Sequence, residues 1–302
     1  MTLQLRRIGV IGYGEVGKIF SAGLLSAAGV EQACAWDLKL APGAATRDAQ
    51  RTHAQAAGVQ ALDSMAALCA ACDLIISSVT ASNTLTVARE AAQHLQPGTI
   101  FLDLNSASPG TKQQAAALID AAGGHYVEAG VMTSVPPYGV RVPMLLGGAK
   151  AAELAALLSA WGLDTKAVSE KLGVASAIKM SRSVMIKGLE ALVIEAYTNA
   201  RAYGVEDHVL PTLQETFPSI DWSEQGAYFF SRVVQHGKRR AEEMRESANT
   251  VREAGFEPFM ASAIADKQQW VADQAAAGVF DGLDKKARWQ DYADRLLATR
   301  KG

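Results

Sequence analysis

Residues Ile8 to Gly23 read IGVIGYGEVGKIFSAG, and few segments leave a chain less choice of fold. Ile8, Val10 and Ile11 form the kind of apolar run that ends a buried parallel strand. Gly12, Gly14 and Gly17 follow in G-x-G-x-x-G spacing, and Val16, Ile19, Phe20 and Leu24 then recur on an apolar helix. Gly12 permits the tight turn from strand to helix, Gly14 lets the backbone approach a pyrophosphate, and Gly17 lets helix and strand pack closely. Such a turn aims free N–H groups and the positive end of the helix dipole at phosphates. The residues expected to hold a dinucleotide there are Gly12, Tyr13, Gly14, Glu15, Val16 and Gly17. A second apolar run, VEQACAWD, ends in Asp37, about 20 residues further on, where a carboxylate accepts hydrogen bonds from an adenosine ribose.

A chain of 302 residues has room for two domains and a sizeable core. At 49% apolar and 20% charged it is globular rather than disordered. Its net charge of −2, with both signs mixed, gives no reason to expect a nucleic-acid or membrane partner. No apolar stretch is long enough to span a bilayer. The run behind Arg6 and Arg7 is too short for a signal peptide and flows into the glycine loop, so a cytoplasmic protein is expected. Cys69-x-x-Cys72 has no second pair and lies where an Ala-rich helix meets a strand. Buried apolar thiols are therefore expected at Cys34, Cys69 and Cys72, with no metal site.

Strand and helix patterns alternate through the first half. A helix is expected over Ala44 to Ala57, with His53 solvated, then a short strand from Val59 to Leu62 and a helix capped by Asp63 or Ser64. Strands follow at Asp73 to Val79, Thr99 to Leu104, His125 to Val131, in VPMLLGG, and near Thr165, with helices between most of them. The fold class is α/β: a Rossmann-type, doubly wound parallel sheet over residues 1–168. Ligands bind such sheets at the carboxyl ends of the strands, where Val79, Asn105 and Ser106 are expected to meet the cofactor, Val79 and Ser106 near its nicotinamide. Beyond Ser169 every segment is helical: Gly173 to Tyr203 (closed by Gly204), Asp207 to Phe217, Glu224 to Ala254, Pro258 to Gly278, and Asp284 to Ala298. Residues 169–302 are thus expected to form an all-α domain for substrate and dimerisation.

In the first of these helices Lys179, Ser183, Lys187 and Glu190 make a polar stripe on an otherwise apolar surface. Exposed lysines are common on helices. An ammonium among apolar residues, however, needs a partner or a lowered pKa, and a lysine so tuned can take a proton from an alcohol. A second cluster, His236, Arg240 and Glu243 with Arg239 beside it, shares one helix face. It is either a solvated face or a place where a guanidinium reaches a substrate carboxylate.

The glycine loop, the segment EAGVMTS…GVRVPMLLGG and the helix GVASAIKMSRS occur in that order, and with them the chain resembles the β-hydroxyacid dehydrogenase superfamily. That superfamily includes 3-hydroxyisobutyrate dehydrogenase and 6-phosphogluconate dehydrogenase. The resemblance implies NAD(P)-dependent chemistry on a CH–OH group, with Lys179 as general base in a helix motif G-x-x-x-x-x-K-x-x-x-N. Ser183 stands where the family has Asn to hold the substrate hydroxyl, and Met132, Thr133 and Ser134 stand where it has Ser-Gly-Gly for the substrate carboxylate. Ile186 occupies the place of the proton-donating Glu of 6-phosphogluconate dehydrogenase, which argues against decarboxylation. Lys187, His236 and Arg240 complete the expected substrate-binding set.

The expected function is therefore interconversion of a small β-hydroxy acid, or a related hydroxyl compound, with its carbonyl form. NAD is favoured by Asp37, with NADP possible through Lys39, and the partner is a second copy of the chain paired through the helical domain. The alternatives are an imine reductase of similar architecture, against which Lys179 argues, and a dinucleotide-binding sensor without turnover.

Overall fold

The computed structural model describes residues 3–299. The chain divides into two compact units, Met1–Met180 and Ser181–Gly302. The division falls inside a long helix rather than ahead of it.

The first unit alternates β1 (Arg7–Ile11), α1 (Glu15–Leu24), β2 (Gln32–Trp36), α2 (Arg47–Ala56), β3 (Gln60–Ala61), α3 (Met65–Ala71), β4 (Leu74–Ser77), α4 (Thr84–Ala92), β5 (Ile100–Asp103), α5 (Pro109–Ala121), β6 (His125–Val131), β7 (Met144–Gly147), α6 (Ala151–Ala160) and β8 (Thr165–Ser169). The eight strands form one sheet in the order β3-β2-β1-β4-β5-β6-β7-β8. Successive side chains leave opposite faces of a strand, and the core follows that period. Ile8, Val10, Leu74, Ile76, Ile100 and Leu102 enter one apolar cluster, whereas Ile11, Ala33, Ala35, Ile75 and Phe101 enter another. Covered on both faces, the central strands need no polar alternation.

The sheet departs from the expected pattern in one place. β6 and β7 pair antiparallel, Val131 opposite Met144, while every other neighbouring pair is parallel. The reason is the connection. Between Val131 and Met144 the chain makes only a single tight helical turn, Gly139–Arg141, and a parallel return would need a full crossover.

Local signals set the helix starts. The Ser64 hydroxyl, not Asp63, caps α3 by accepting from the Ala67 N–H at 3.1 Å, while Asp63 pairs with Arg47 and Arg51 at 2.7 and 2.5 Å. Ser108 caps α5 ahead of Pro109. All three cysteines are buried free thiols.

Helix α7 (Val174–Tyr203) begins in the first unit and ends at Gly204, whose φ of 66° suits a residue without Cβ. The second unit continues with α8 (Glu206–Thr216), α9 (Trp222–Glu253), α10 (Phe259–Ala276) and α11 (Trp289–Ala298). Its core gathers Ile194, Tyr197, Trp222, Phe230, Trp289 and Tyr292. At Gly237 a Cβ would stand 2.8 Å from the Gln268 carbonyl, so glycine there is what lets α9 and α10 approach. Helix α11 begins at Trp289 rather than Asp284, because the Arg288 N–H donates to the Asp291 carboxylate at 2.9 Å and sets the first turn. The preceding stretch bends through Gly278 and Gly282, both at positive φ. No helix among the described residues is long and apolar enough to cross a membrane.

Candidate functional site

The glycine loop lies between β1 and α1, beside the end of β4. Gly12 has φ of 91°, and a Cβ there would stand 2.6 Å from the Ser78 carbonyl, so neither the turn nor the packing accepts another residue. Ser78 fastens the turn from its own side, its hydroxyl donating to the Gly12 carbonyl at 3.0 Å. A Cβ on Gly17 would collide with that same carbonyl. A Cβ on Gly14, by contrast, would meet nothing, which leaves the open cradle that a pyrophosphate requires.

Asp37 stands at the end of β2, as the sequence places it, and is already engaged. One carboxylate oxygen accepts the Tyr13 N–H at 2.7 Å and the other the Lys39 N–H at 2.8 Å. It therefore braces the loop, and each oxygen keeps a lone pair for a ribose hydroxyl. Tyr13 is held at its other end too, its hydroxyl 3.1 Å from Nδ1 of His53, so His53 is exposed yet not merely solvated. Glu15 and Val16 open α1 directly behind the loop.

Asn105 turns its amide onto the neighbouring strand end. Its Oδ1 accepts the Val79 N–H at 2.7 Å and its Nδ2 donates to the Ser77 hydroxyl at 3.0 Å. The Asn105 N–H in turn donates to Asp103 at 2.8 Å. Asp103 is buried with Lys112, whose Nζ lies 3.0 Å from its carboxylate and 3.0 Å from its carbonyl, and it accepts the Tyr126 hydroxyl at 2.5 Å. These six residues form a rigid brace under the turn that carries Ser106. Asp103, Lys112 and Tyr126 were not anticipated. A signal existed for Lys112, which falls at the spacing of the buried Ala115, Ala116 and Ile119 on α5.

Tyr126 yields an expectation for alkaline solution. Burial, reinforced by the Asp103 charge, pushes its phenol well above the ordinary 10.0. Above that pH the unfolded chain loses the proton and the folded chain keeps it, so stability must fall as pH rises. Urea midpoints measured from about pH 9 to 11 should decline, and less steeply in Tyr126→Phe.

The start of α7 is fixed by Glu128 on β6. This buried carboxylate accepts the N–H groups of Gly173, Ala175 and Ser176 at 2.7, 3.1 and 3.2 Å, satisfying donors that a helix end leaves open. Two residues along β6, a Cβ at Gly130 would stand 2.9 Å from the Ala175 carbonyl and 3.5 Å from the Cβ of Lys179. The absence of a side chain at Gly130 thus sets the root of Lys179 against the end of β6, in the same unit as the glycine loop. Met132, Thr133 and Ser134 continue from that strand end. The Met132 N–H is spent on the Pro143 carbonyl at 2.9 Å, a consequence of the antiparallel hairpin, and cannot help to cradle an anion.

The second unit holds a buried ionic cluster. Lys187 Nζ pairs with Glu243 at 2.9 Å and donates to the Ser183 hydroxyl at 3.2 Å. Arg239 also pairs with Glu243, at 2.5 Å. Arg240 bonds to Glu190, which Gln268 contacts at 3.3 Å and Arg232 at 3.6 Å. Burial lowers the Lys187 pKa below its ordinary 10.5, opposed by the Glu243 charge. His236 lies on the exposed side of α9 whereas Arg240 and Glu243 are buried, so the face that the spacing assigns to all three is split. The Arg240 guanidinium is committed to Glu190, not open to solvent.

Residues 7–164 match the family described as the NAD binding domain of 6-phosphogluconate dehydrogenase, and residues 200–271 match a domain of unknown function, DUF1932. A conserved hypothetical protein from Sinorhizobium meliloti is 38% identical, covering 97% of this chain and 96% of its own, with a TM-score of 0.76. A second solved relative, a conserved protein of unknown function with structural similarity to 3-hydroxyacid dehydrogenases, is 31% identical over 89% of this chain and 99% of its own, at a TM-score of 0.66. The 3-hydroxyisobutyrate dehydrogenase of Salmonella typhimurium shares the fold at 17% identity, covering 96% and 99% of the two chains with a TM-score of 0.66.

Proposed function

Because the chain belongs to the family built on the NAD binding domain of 6-phosphogluconate dehydrogenase, we propose that this 3-hydroxyacid dehydrogenase-like oxidoreductase interconverts a small β-hydroxy acid and its oxo acid, with Lys179 as general base. The observation that carries the reading is the placement of Lys179. Glu128 and Gly130 set it at a strand end of the very sheet whose neighbouring strand ends hold the glycine loop, Val79 and Ser106. When bound, a nicotinamide cofactor supplies the hydride acceptor. Lys179 Nζ receives the proton of the substrate hydroxyl as the carbon is oxidised and returns it in the reverse direction. Ser183, one turn along α7, holds the same oxygen. Met132, Thr133 and Ser134 bound the substrate at the end of β6.

A panel of hydroxy acids and oxo acids, run with NAD and NADP at neutral and alkaline pH, tests the reading. Reduction of an oxo acid is the expected result, and no turnover across the panel overturns it. The two cofactors should separate in the same experiment. Asp37 repels a 2′-phosphate and bonds a free ribose hydroxyl, so NADH should bind more tightly than NADPH in a fluorescence titration, and the reverse order removes the assignment of Asp37.

The same reading includes a cytoplasmic homodimer paired through the helical unit. Ala191, Val193, Ile194 and Tyr197 are buried within that unit and need no partner, but Met185, Leu192, Phe259 and Met260 are exposed. Light scattering at micromolar concentration should give twice the chain mass, and a monomer refutes the pairing.

A further inference from the structure

A helix is ordinarily capped by the side chain of the residue just ahead of it. Gly173, directly before α7, has none to offer, and the cap comes from another element. One oxygen of Glu128 takes the N–H groups of Gly173 and Ala175, and the other takes that of Ser176. A side chain that reaches so far from the middle of a strand needs room to lie. In the ladder between β6 and β7, Glu128 is directly opposite Gly147, and a Cβ there would stand 2.5 Å from Oε1 of Glu128. The carboxylate occupies the space that Gly147 gives up. The backbone of Gly147 lies outside the left-handed region, so that space, rather than chain conformation, is what glycine provides.

Residues two apart on a strand share a face, so Glu128 and Gly130 are both turned to α7. Glu128 holds the N–H groups of the first turn, which fixes how far the helix slides along its axis. Gly130 receives the ridge made by Ala175 and Lys179, one turn apart, which fixes the rotation of the helix. All of these residues belong to the first unit, together with the glycine loop. We propose that Glu128 is a positioning residue for the proton transfer: through the first turn of α7 it sets where Lys179 stands at the end of β6, and Gly147 sets the reach of its carboxylate. The inference rests on Lys179 as general base and identifies what aims it. A general base works only within hydrogen-bond reach of the proton it takes, and a misplacement of about 1 Å costs up to about 10²-fold in rate.

The test keeps the charge and changes the reach. Glu128→Asp withdraws the carboxylate by one carbon–carbon bond, about 1.5 Å. With NADH and the oxo acid turned over best, kcat and kcat/KM should fall together by about 10–10²-fold, while KM stays within about twofold. NADH affinity should hold, because the glycine turn is fastened by Ser78 from the end of β4. In the Lys179→Ala background the same substitution should cost less than about twofold in the residual rate, because the group it aims is gone. Gly147→Ala approaches the same lock from the other strand. It should lower kcat by about tenfold alone, but by less than about twofold when Glu128→Asp has already vacated the space. It also stands in, with the same Lys179→Ala comparison, if the aspartate variant does not fold. Equal losses with and without Lys179 overturn the proposal, as does a lower urea midpoint with an unchanged rate per folded molecule, which leaves Glu128 a structural cap. If Lys179→Ala is impaired while Glu128→Asp turns over at the wild-type rate, the positioning role alone fails. Full activity in Lys179→Ala, or no turnover of any oxo acid, overturns the general-base reading and this inference with it.

Discussion

Lys179→Ala is expected to lower turnover by roughly 10²–10⁴-fold, the usual contribution of a well-placed acid or base. Affinity for NADH should hardly change, because Asp37 is fixed by the Tyr13 and Lys39 N–H groups and Asn105 by the Val79 N–H. Stability should hold as well, since Glu128 secures the first turn of α7 by accepting the N–H groups of Gly173, Ala175 and Ser176. The measurements are kcat on the best oxo acid, an NADH titration and a urea midpoint on the same preparation. Full activity in the variant removes the proposed mechanism. Lost stability with an unchanged rate per folded molecule makes the lysine a structural partner instead.

Arg240→Ala is expected to unfold the second unit more readily, by about 3 kcal/mol, because it leaves the buried Glu190 with only the more distant Arg232, at 3.6 Å, as a counter-charge. Replacing both members by leucine should recover most of that loss, since exchanging a buried pair for apolar side chains is often nearly neutral. Denaturant midpoints of the two single variants and the double variant form the cycle. If Arg240→Ala raises KM for the oxo acid and leaves the midpoint in place, the guanidinium serves the substrate, as its helix spacing alone suggests.

The contrast between these residues shows what could be read in advance. The strand, glycine loop and helix of Ile8 to Gly23 were legible because each residue answers a local backbone demand, and Gly12 and Gly17 still answer it in the folded chain. The position of Lys179 was legible from its motif. The hairpin of β6 and β7 was not, because the segment VPMLLGG carries the same apolar pattern whichever way it pairs, and only the missing crossover decides. The fates of Asp103, Lys112, Glu128 and Glu190 were equally hidden. A charge becomes a buried brace through partners distant in sequence, such as Tyr126 for Asp103 and Arg240 for Glu190, and periodicity does not name such partners. The loop itself was anticipated as a ligand site, but not that Asp37 and His53 would hold Tyr13 from both ends.

The strand order β3-β2-β1-β4-β5-β6-β7-β8 has a consequence for the history of the molecule in the cell. From β4 onward each new strand lies beside the one made just before it, so the sheet can widen at one edge as the chain leaves the ribosome. The single reversal is the return from β3 to the far side of β1, and it is there that Ser78 comes to fasten the glycine turn. A nascent chain ending before Leu74 would carry every glycine of the motif yet lack the wall that shapes it.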